Sequence, residues 1–421
     1  MKYLDVVVEN KSRHTDSFFT YRAPDETELR IGDKVWVPFG RGDKTKAGFV
    51  FAFPEHISCP EQKIKEIEGV DAAGSLNREM MKTAAWMKQR YAITYSDAIS
   101  CFCVKGKPPR EGKAKEPYKD LPGRDERPAA LTEEQTASVE RINEAIAASR
   151  HEIFLLHGVT ASGKTEVYME AIDKCLKLDK TAIMLVPEIA LTNQIMEHFI
   201  GRFGKDRLAV MHSKLTPRER YDEWHRIRSG RARIVIGARM GVFAPAENIG
   251  LIIMDEEHEA TYKSDMTPKY DTVEVAAKRL QTTGGVLLLG SATPSVVSYE
   301  RAKEGIYQLL TLKQRYNRNP LPRVEIVDMR EELRAGNTNI FSRRLYTAIE
   351  ETLKKEQQVI LFQNRRGYSN FVSCRACGAV MKCPECDLSL VYHKKEHAMI
   401  CHYCGRQFPL PETCPVCGSR Y

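Results

Sequence analysis

The chain has 421 residues, 42% of them hydrophobic, with 64 Lys and Arg against 56 Asp and Glu and a formal net charge of +8. That length predicts about three domains, and the mild positive excess is compatible with nucleic acid without requiring it. No stretch reaches the ~18 apolar residues of a membrane-spanning helix, and the opening "MKYLDVVVENK" has no signal-like apolar region, so a cytoplasmic location with reduced cysteines is expected.

The first hundred residues read as strands. "YLDVVV", "SFFTY", "KVWVPFG" and "AGFVFAF" are β-rich runs separated by charged or Gly/Asp turns. "LNREMMKTAAWMKQRYAI" follows as an amphipathic helix with Leu76, Met80, Ala84 and Met87 on one face. Residues 1–104 are therefore expected to form a small β-rich domain ending in a helix. Residues 105–128, dense in Pro, Gly and charge, read as an exposed linker.

From residue 129 to 320 short apolar runs alternate with amphipathic segments. "EIFLLH", "TAIMLV", "RLAVMH", "ARIVIG", "LIIMD" and "GVLLLG" predict a parallel sheet flanked by helices, an α/β fold. A further strand, "QQVILF", is expected within residues 321–372, ahead of a cysteine-rich segment at 373–421.

The motifs fall at the strand ends. "GVTASGKT" (Gly158, Val159, Thr160, Ala161, Ser162, Gly163, Lys164, Thr165) sits between a strand and a helix, so its backbone amides can wrap phosphates. Lys164 would reach the β- and γ-phosphates of ATP, and Thr165 would hold Mg²⁺. "LIIMDEEH" ends a strand in Asp255, a carboxylate suited to Mg²⁺, beside Glu256, which can orient and deprotonate a water. In "LTEEQ", Thr132 and Gln135 fit a helix capping box, and Gln135 has a second reading, contact with the adenine edge. Lys164, Asp255 and Glu256 are the candidate catalytic residues.

"GSATPS" carries Ser291, Ala292 and Thr293 after another strand; its plain reading is a turn. Tyr262, Lys263, Lys269 and Tyr270 interleave aromatic and basic groups in a loop. That pattern suits stacking on bases and pairing with phosphates, but it suits tyrosines packed beneath a loop equally well.

Eight of the twelve cysteines lie between Cys374 and Cys417, in four Cys-x-x-Cys knuckles separated by five, fourteen and nine residues. Two four-cysteine zinc sites are expected. The spacing favours a nested pairing, Cys374 and Cys377 with Cys414 and Cys417 outside, and Cys383 and Cys386 with Cys401 and Cys404 inside. His393, His397 and His402 are then bystanders, and Cys59, Cys101, Cys103 and Cys175 read as packing residues.

With "GVTASGKTEVY", "VPEIALTNQ", "DEEHEATYK", "GSATPS", "LFQNRRGYS" and the cysteine spacing in order, residues 131–417 resemble the bacterial replication-restart helicases of the PriA, or primosomal protein N′, family. The resemblance implies a RecA-like motor lobe at 129–320 in which Ser291, Ala292 and Thr293 couple hydrolysis to DNA movement. It also implies the start of a second lobe at 321–372, interrupted by the zinc module. "FFTYRAPDE" and "GDKVWVPFGRG" are similar to the family's N-terminal domain, which implies that Phe19, Thr20, Gly40 and Lys65 bind the nascent 3′ end at a fork. The activity implied is ATP-dependent 3′-to-5′ unwinding at stalled forks, with reloading of the replicative helicase. Forked DNA, primosome proteins and single-strand-binding protein are the partners implied.

Three departures shape the expectation. Thr20 stands where the family commonly has an acidic residue, only a linker occupies the place of a winged helix, and the later motifs of the second lobe do not follow the cysteines. The chain is thus expected to be a truncated portion that binds DNA but unwinds poorly. Rival readings are a fork-binding module with a vestigial ATPase and a different zinc-bearing motor, such as an RNA helicase.

Overall fold

In the computed structural model, residues 1–421 are described except 11, 58, 105–116, 119, 125–126, 188–192, 321, 363–371, 394–395 and 421. Most of the expected linker and parts of "VPEIALTNQ" and "LFQNRRGYS" thus lie outside the described residues. Two compact units are distinguished, Met1–Pro320 and Leu321–Tyr421.

The first unit begins with strands β1 (Lys2–Val8), β2 (Phe19–Ala23), β3 (Lys34–Phe39), β4 (Lys44–Ala52), β5 (Lys65–Glu66) and β6 (Gly69–Asp71). They form one sheet in the order β5-β2-β1-β4-β3-β6. Alternation puts Leu4, Val6 and Val8 of β1 in one core with Tyr21, Val35, Val37 and Val50, as the period of two requires. Helix α1 (Arg78–Tyr91) follows, its first turn capped by Asn77, whose side chain accepts from the Met80 amide. Its predicted apolar face, Leu76, Met80, Ala84 and Met87, is buried. A short α2 (Tyr95–Ser100) starts with a capping box of Thr94 and Asp97.

The motor region contains α3 (Glu133–Ala147), β7 (Ile153–Gly158), α4 (Lys164–Lys177), β8 (Thr181–Leu185), α5 (Asn193–Phe203), β9 (Leu208–Met211), α6 (Pro217–Arg228), β10 (Ile234–Gly237), β11 (Ile249–Asp255), α7 (Thr272–Thr283), β12 (Val286–Ser291), α8 (Val296–Lys303) and β13 (Gln308–Leu312). All neighbouring strands pair in parallel, in the order β13-β7-β12-β11-β8-β10-β9. The six predicted runs are all strands; β13 is a seventh, at the edge.

Both faces of this sheet are covered, which is why its strands are apolar without alternation. Leu156, Ala182, Met184 and Ile253 pack with α3, α4 and α5. Their neighbours Leu155, Ile183, Leu185 and Ile252 share the opposite cluster with α1, α6 and α7, and with Val7 and Phe49 of the N-terminal sheet. The N-terminal domain and the motor therefore have one continuous core. Polar bonds lock the same seam. Arg279, wholly buried on α7, is bidentate to Glu79 of α1 and also donates to the carbonyls of Val242 and Ala244. Arg90 is bidentate to Glu274, and the Trp224 indole donates to the Phe102 carbonyl at 2.8 Å.

The second unit contains α9 (Met329–Arg334), α10 (Arg343–Lys354) and a three-stranded antiparallel sheet, β14 (Val391–His393), β15 (Ala398–Ile400) and β16 (Gln407–Pro409). The strand expected at "QQVILF" is a correction: residues 357–362 pair with no strand among the described residues, and Ile360 and Phe362 are exposed. An apolar run becomes a strand only where a ladder partner satisfies its backbone. Among the described residues no helix is long and apolar enough to cross a membrane.

Candidate nucleotide site, DNA-contact surface and metal centre

The carboxyl ends of β7, β12 and β11 lie side by side, with Ser291 level with His157 and Asp255 level with Gly290. Ligands of open α/β sheets bind at this edge. The loop from Val159 to Gly163 leaves β7 here and opens α4 with Gly163 as its N-cap. Ala161 and Gly163 both have positive φ, 62° and 80°. A side chain at Gly163 would begin 2.2 Å from the Gln135 amide nitrogen, so this position needs glycine for space as well as for conformation.

Gln135 is buried, with both ends of its amide hydrogen-bonded. Its Oε1 accepts from the Thr132 amide in the capping box, and its Nε2 donates to the Ser162 carbonyl at 2.9 Å. It ties α3 to the loop, and its Oε1 carries one bond of the two it can accept. Lys164 Nζ donates to the Gly158 carbonyl at 3.0 Å and so lies folded into the loop. Ser162 Oγ is buried without a hydrogen-bond partner, and a Cβ at Gly158 would come within 2.5 Å of it. A cradle of amides, a lysine and an orphan hydroxyl fits a phosphate chain.

Asp255 faces this loop at the end of β11. Burial raises its pKa, partly offset by the hydrogen bond it accepts from Tyr168 at 2.9 Å. Glu256 follows with φ 47°, a strained left-handed conformation for a non-glycine residue. Ser291 lies between the two motifs: its Oγ is 2.8 Å from His258 Nδ1 and 3.5 Å from Glu256, and it accepts from the Thr293 amide. Glu257 accepts from the Ser295 amide, the Ser295 hydroxyl and the Ser298 hydroxyl, which start α8. The "DEEH" and "GSATPS" turns are thereby one hydrogen-bonded assembly. Sequence reasoning missed His258, Glu257 and Tyr168. The first two stand within "DEEH" itself, and Tyr168 closes "GVTASGKTEVY", yet nothing local marks its bond to a partner 87 residues away.

The tyrosines proposed for base stacking are a correction. Tyr262 is 3% exposed and donates to the carbonyls of Leu185 and Asp255. Tyr270 is 6% exposed, edge-on to Phe243 at 4.8 Å. Their apolar rings are in the core, so they have no face to offer a base. Lys263 and Lys269 remain at the surface.

In the N-terminal sheet, Phe19 meets Phe39 edge-on at 5.0 Å, and Lys65, level with Tyr21, donates to the Gly40 carbonyl and pairs with Asp43. Thr20 donates to Asp5 directly across β1 and β2. Gly40, at φ 83°, has no atom within 4 Å of where a side chain would begin. The structure thus gathers Phe19, Gly40 and Lys65 around one end of the sheet.

The eight cysteines form two groups, Cys374, Cys377, Cys414 and Cys417, and Cys383, Cys386, Cys401 and Cys404, the ligand atoms of each within 4.8 Å of one another. One group encloses the other along the chain. Sγ–Sγ distances of 3.7 and 3.8 Å match the edge of about 3.8 Å of a tetrahedron with ~2.3 Å zinc–sulfur bonds. Backbone amides of Cys404 and Tyr403 pull the Cys401 thiol down to about 7, and those of Cys417 and Val416 do the same for Cys414. In each knuckle the residue after the second cysteine is left-handed and donates to the first cysteine's carbonyl: Gly378, Asp387, Gly405 and Gly418. Three of these four are glycine.

The comparisons with known proteins agree with this geometry. Residues 132–302 match the DEAD/DEAH box helicase family, residues 5–103 the 3'DNA-binding domain (3'BD) of PriA, and residues 383–409 the PriA DNA helicase Cys-rich region (CRR) domain. A phosphate loop and a "DEEH" turn at one edge of a parallel sheet, in a chain with these matches, define a helicase motor lobe with a DNA-binding module and a zinc-binding cysteine cluster. The chain carries PriA-type domains and is similar over most of its length to replication restart proteins named PriA. It is 49% identical over 330 residues to the replication restart protein PriA of Bacillus subtilis (strain 168), covering 78% of this chain and 41% of that protein. It is 37% identical over 414 residues to that of Treponema pallidum (strain Nichols), covering 96% of this chain and 61% of that protein. The chain thus spans less than two thirds of either relative. Among solved structures, RecG bound to a three-way DNA junction is similar at TM-score 0.35 and 21% identity, over 56% of this chain and 34% of that one.

Proposed function

We propose that this chain carries the DNA-binding and ATP-binding portion of a 3′-to-5′ DNA helicase that acts at stalled or branched forks and restarts replication by primosome assembly. The observation that carries this reading is the level alignment of phosphate loop, Asp255–Glu256 turn and Ser291 on adjacent strands, in a motor that shares its core with a DNA-binding domain. Domain limits of 1–104 for DNA binding, 105–128 for the linker, 129–320 for the first motor lobe, 321–372 for the start of a second and 373–421 for the zinc module fit it.

In this reading the loop amides and Lys164 hold the ATP phosphates, Thr165 and Asp255 hold Mg²⁺, and Glu256 orients the attacking water. Bound Mg²⁺ would neutralise charge on the phosphates. Lys164 Nζ has two donors besides the one on the Gly158 carbonyl with which to meet them. Gln135 positions the loop and, through the second acceptor site of its Oε1, the adenine. The His258–Ser291 contact would pass the state of Glu256 to Ser291, Ala292 and Thr293. Phe19, Thr20, Gly40 and Lys65 would receive the nascent 3′ end, and Lys263 a phosphate. Each cysteine group would hold one Zn²⁺, with primosome proteins and single-strand-binding protein as partners in the cytoplasm.

Hydrolysis and DNA binding measured with forked DNA, duplex DNA and RNA test this reading. Fork-selective binding with DNA-stimulated ATP hydrolysis, in a chain extended to the length of the relatives, is expected. Fork binding with no hydrolysis would indicate a vestigial motor, and equal stimulation by RNA a different class of motor.

A further inference from the structure

One buried hydroxyl in the nucleotide site has no part in the roles assigned so far. Tyr168 lies on α4, one turn beyond Lys164, and its side chain has no solvent access. Its phenol donates to Asp255 Oδ1 at 2.9 Å. The ring is seated by a second, independent feature: a Cβ on Gly290 would lie 1.7 Å from the phenol oxygen and 2.8 Å from Cζ. The glycine that precedes Ser291 in β12 is therefore the notch that lets the phenol pass between strands to the carboxylate. On the other side of the same residue, Tyr262 donates to the Asp255 main-chain carbonyl at 2.7 Å. Asp255 is thus held twice, by side chain and by backbone.

We propose that Tyr168 is a positioning residue for the magnesium–nucleotide complex, fixing the Asp255 carboxylate in the orientation that receives the cation. The inference rests on the reading of Asp255 as the metal-holding carboxylate. A carboxylate at a strand end has a free torsion about its Cβ–Cγ bond, and a cation with strict octahedral geometry binds best when that torsion is already set. The phenol sets it with a neutral donor, leaving the negative charge for the metal. It also makes α4, which begins in the phosphate loop, and β11, which ends in Asp255, move as one piece. Hydrogen-bond partners of metal-ligating groups typically change metal affinity by about 10–100-fold when removed.

The test uses residues 1–421, a fluorescent non-hydrolysable ATP analogue and titration with Mg²⁺, with bound Mn²⁺ followed in parallel by electron paramagnetic resonance. Tyr168→Phe keeps the ring and its packing. It should bind the analogue without metal as the parent does and melt close to the parent, yet need about ten-fold more Mg²⁺ for the metal-dependent gain in affinity. In an Asp255→Asn background the same substitution should change nothing further, a result that a packing role would not produce. Gly290→Ala, which crowds the phenol off the carboxylate, should reproduce the Mg²⁺ effect. Parental Mg²⁺ dependence in Tyr168→Phe, or equal loss of metal-free binding, would overturn this inference alone. Absence of metal-dependent nucleotide binding in the parent would overturn the nucleotide-site reading and this inference with it.

Discussion

Arg279 grips Glu79 across 200 residues of sequence, with Nε and Nη2 at 3.0 and 2.7 Å from the two carboxylate oxygens. Thr83 donates to the same carboxylate, and the remaining guanidinium nitrogen is satisfied by two carbonyls. The pair joins the helix that closes the DNA-binding domain to the helix that follows the "DEEH" turn. Thr272, at the start of that second helix, donates to the Tyr262 carbonyl, so the seam continues to the nucleotide edge.

Removing one partner strands a buried charge. Glu79→Ala should cost about 3–5 kcal/mol in chemical denaturation, while the double replacement Glu79→Leu with Arg279→Met, which leaves no charge behind, should recover most of it. Probes placed in the N-terminal sheet and in the motor should lose signal together. Separate transitions in the parent chain would contradict a shared core.

Lys164→Ala should abolish ATP hydrolysis in the extended chain and leave fork binding within about two-fold, because the phosphate contact goes while the DNA surfaces stay. Turnover near that of the parent would show that the loop is not the phosphate site.

Asp255→Asn should stabilise the ligand-free protein. Burial raises the Asp255 pKa above the ordinary 3.8, so the native state binds its proton more tightly than the unfolded chain. That contribution to stability is fully present below about pH 3.8 and is lost as pH rises through the raised value. At pH 7.5 the ionised, desolvated carboxylate opposes folding, and the amide should add about 1 kcal/mol. Thermal melts from pH 4 to 8 should show the gain growing with pH; a gain largest at pH 4 would reverse the sign argued here.

Asp387 is the one non-glycine among the four left-handed knuckle residues. Asp387→Gly should stabilise the metal-loaded module by roughly 1 kcal/mol, since its exposed pair with Lys382 contributes little. Competition with a chelator would read this as slower loss of zinc from the inner group.

Residues 1–421 should bind forked DNA with an affinity that falls steeply with salt, by about 0.9 in log–log slope for each phosphate neutralised. An affinity that stays constant as salt is raised would refute the expectation.

What could be read in advance was whatever repeats or sits in fixed spacing. The apolar runs announced six strands, the Leu76-to-Met87 stripe announced α1, and the interval between knuckles announced a nested arrangement of thiols. Exposure could not be read. Tyr262 and Tyr270 alternate with lysines as a base-stacking loop would, yet each ring has a buried slot built by distant residues, Leu185 and Phe243. The strand expected at "QQVILF" failed for the complementary reason, as hydrophobicity does not supply a neighbour to pair with. The fusion of two domains through Glu79 and Arg279 leaves no local trace, because a buried ion pair is written as two ordinary surface-type residues.

The enclosure of one thiol group by the other also orders events in time. Joining Cys377 to Cys414 in a free chain closes a loop over a separation of 37 residues. Once the inner group has gathered its metal, the outer ends are linked only through the short segments on either side of it. Each halving of a loop spares about 0.6 kcal/mol of closure entropy, so the first ion captured by the inner thiols makes the second easier to capture. If zinc is the ion held, the shorter inner loop would favour filling from the inside outward, and a zinc-limited module would be closed at the centre and open at the rim.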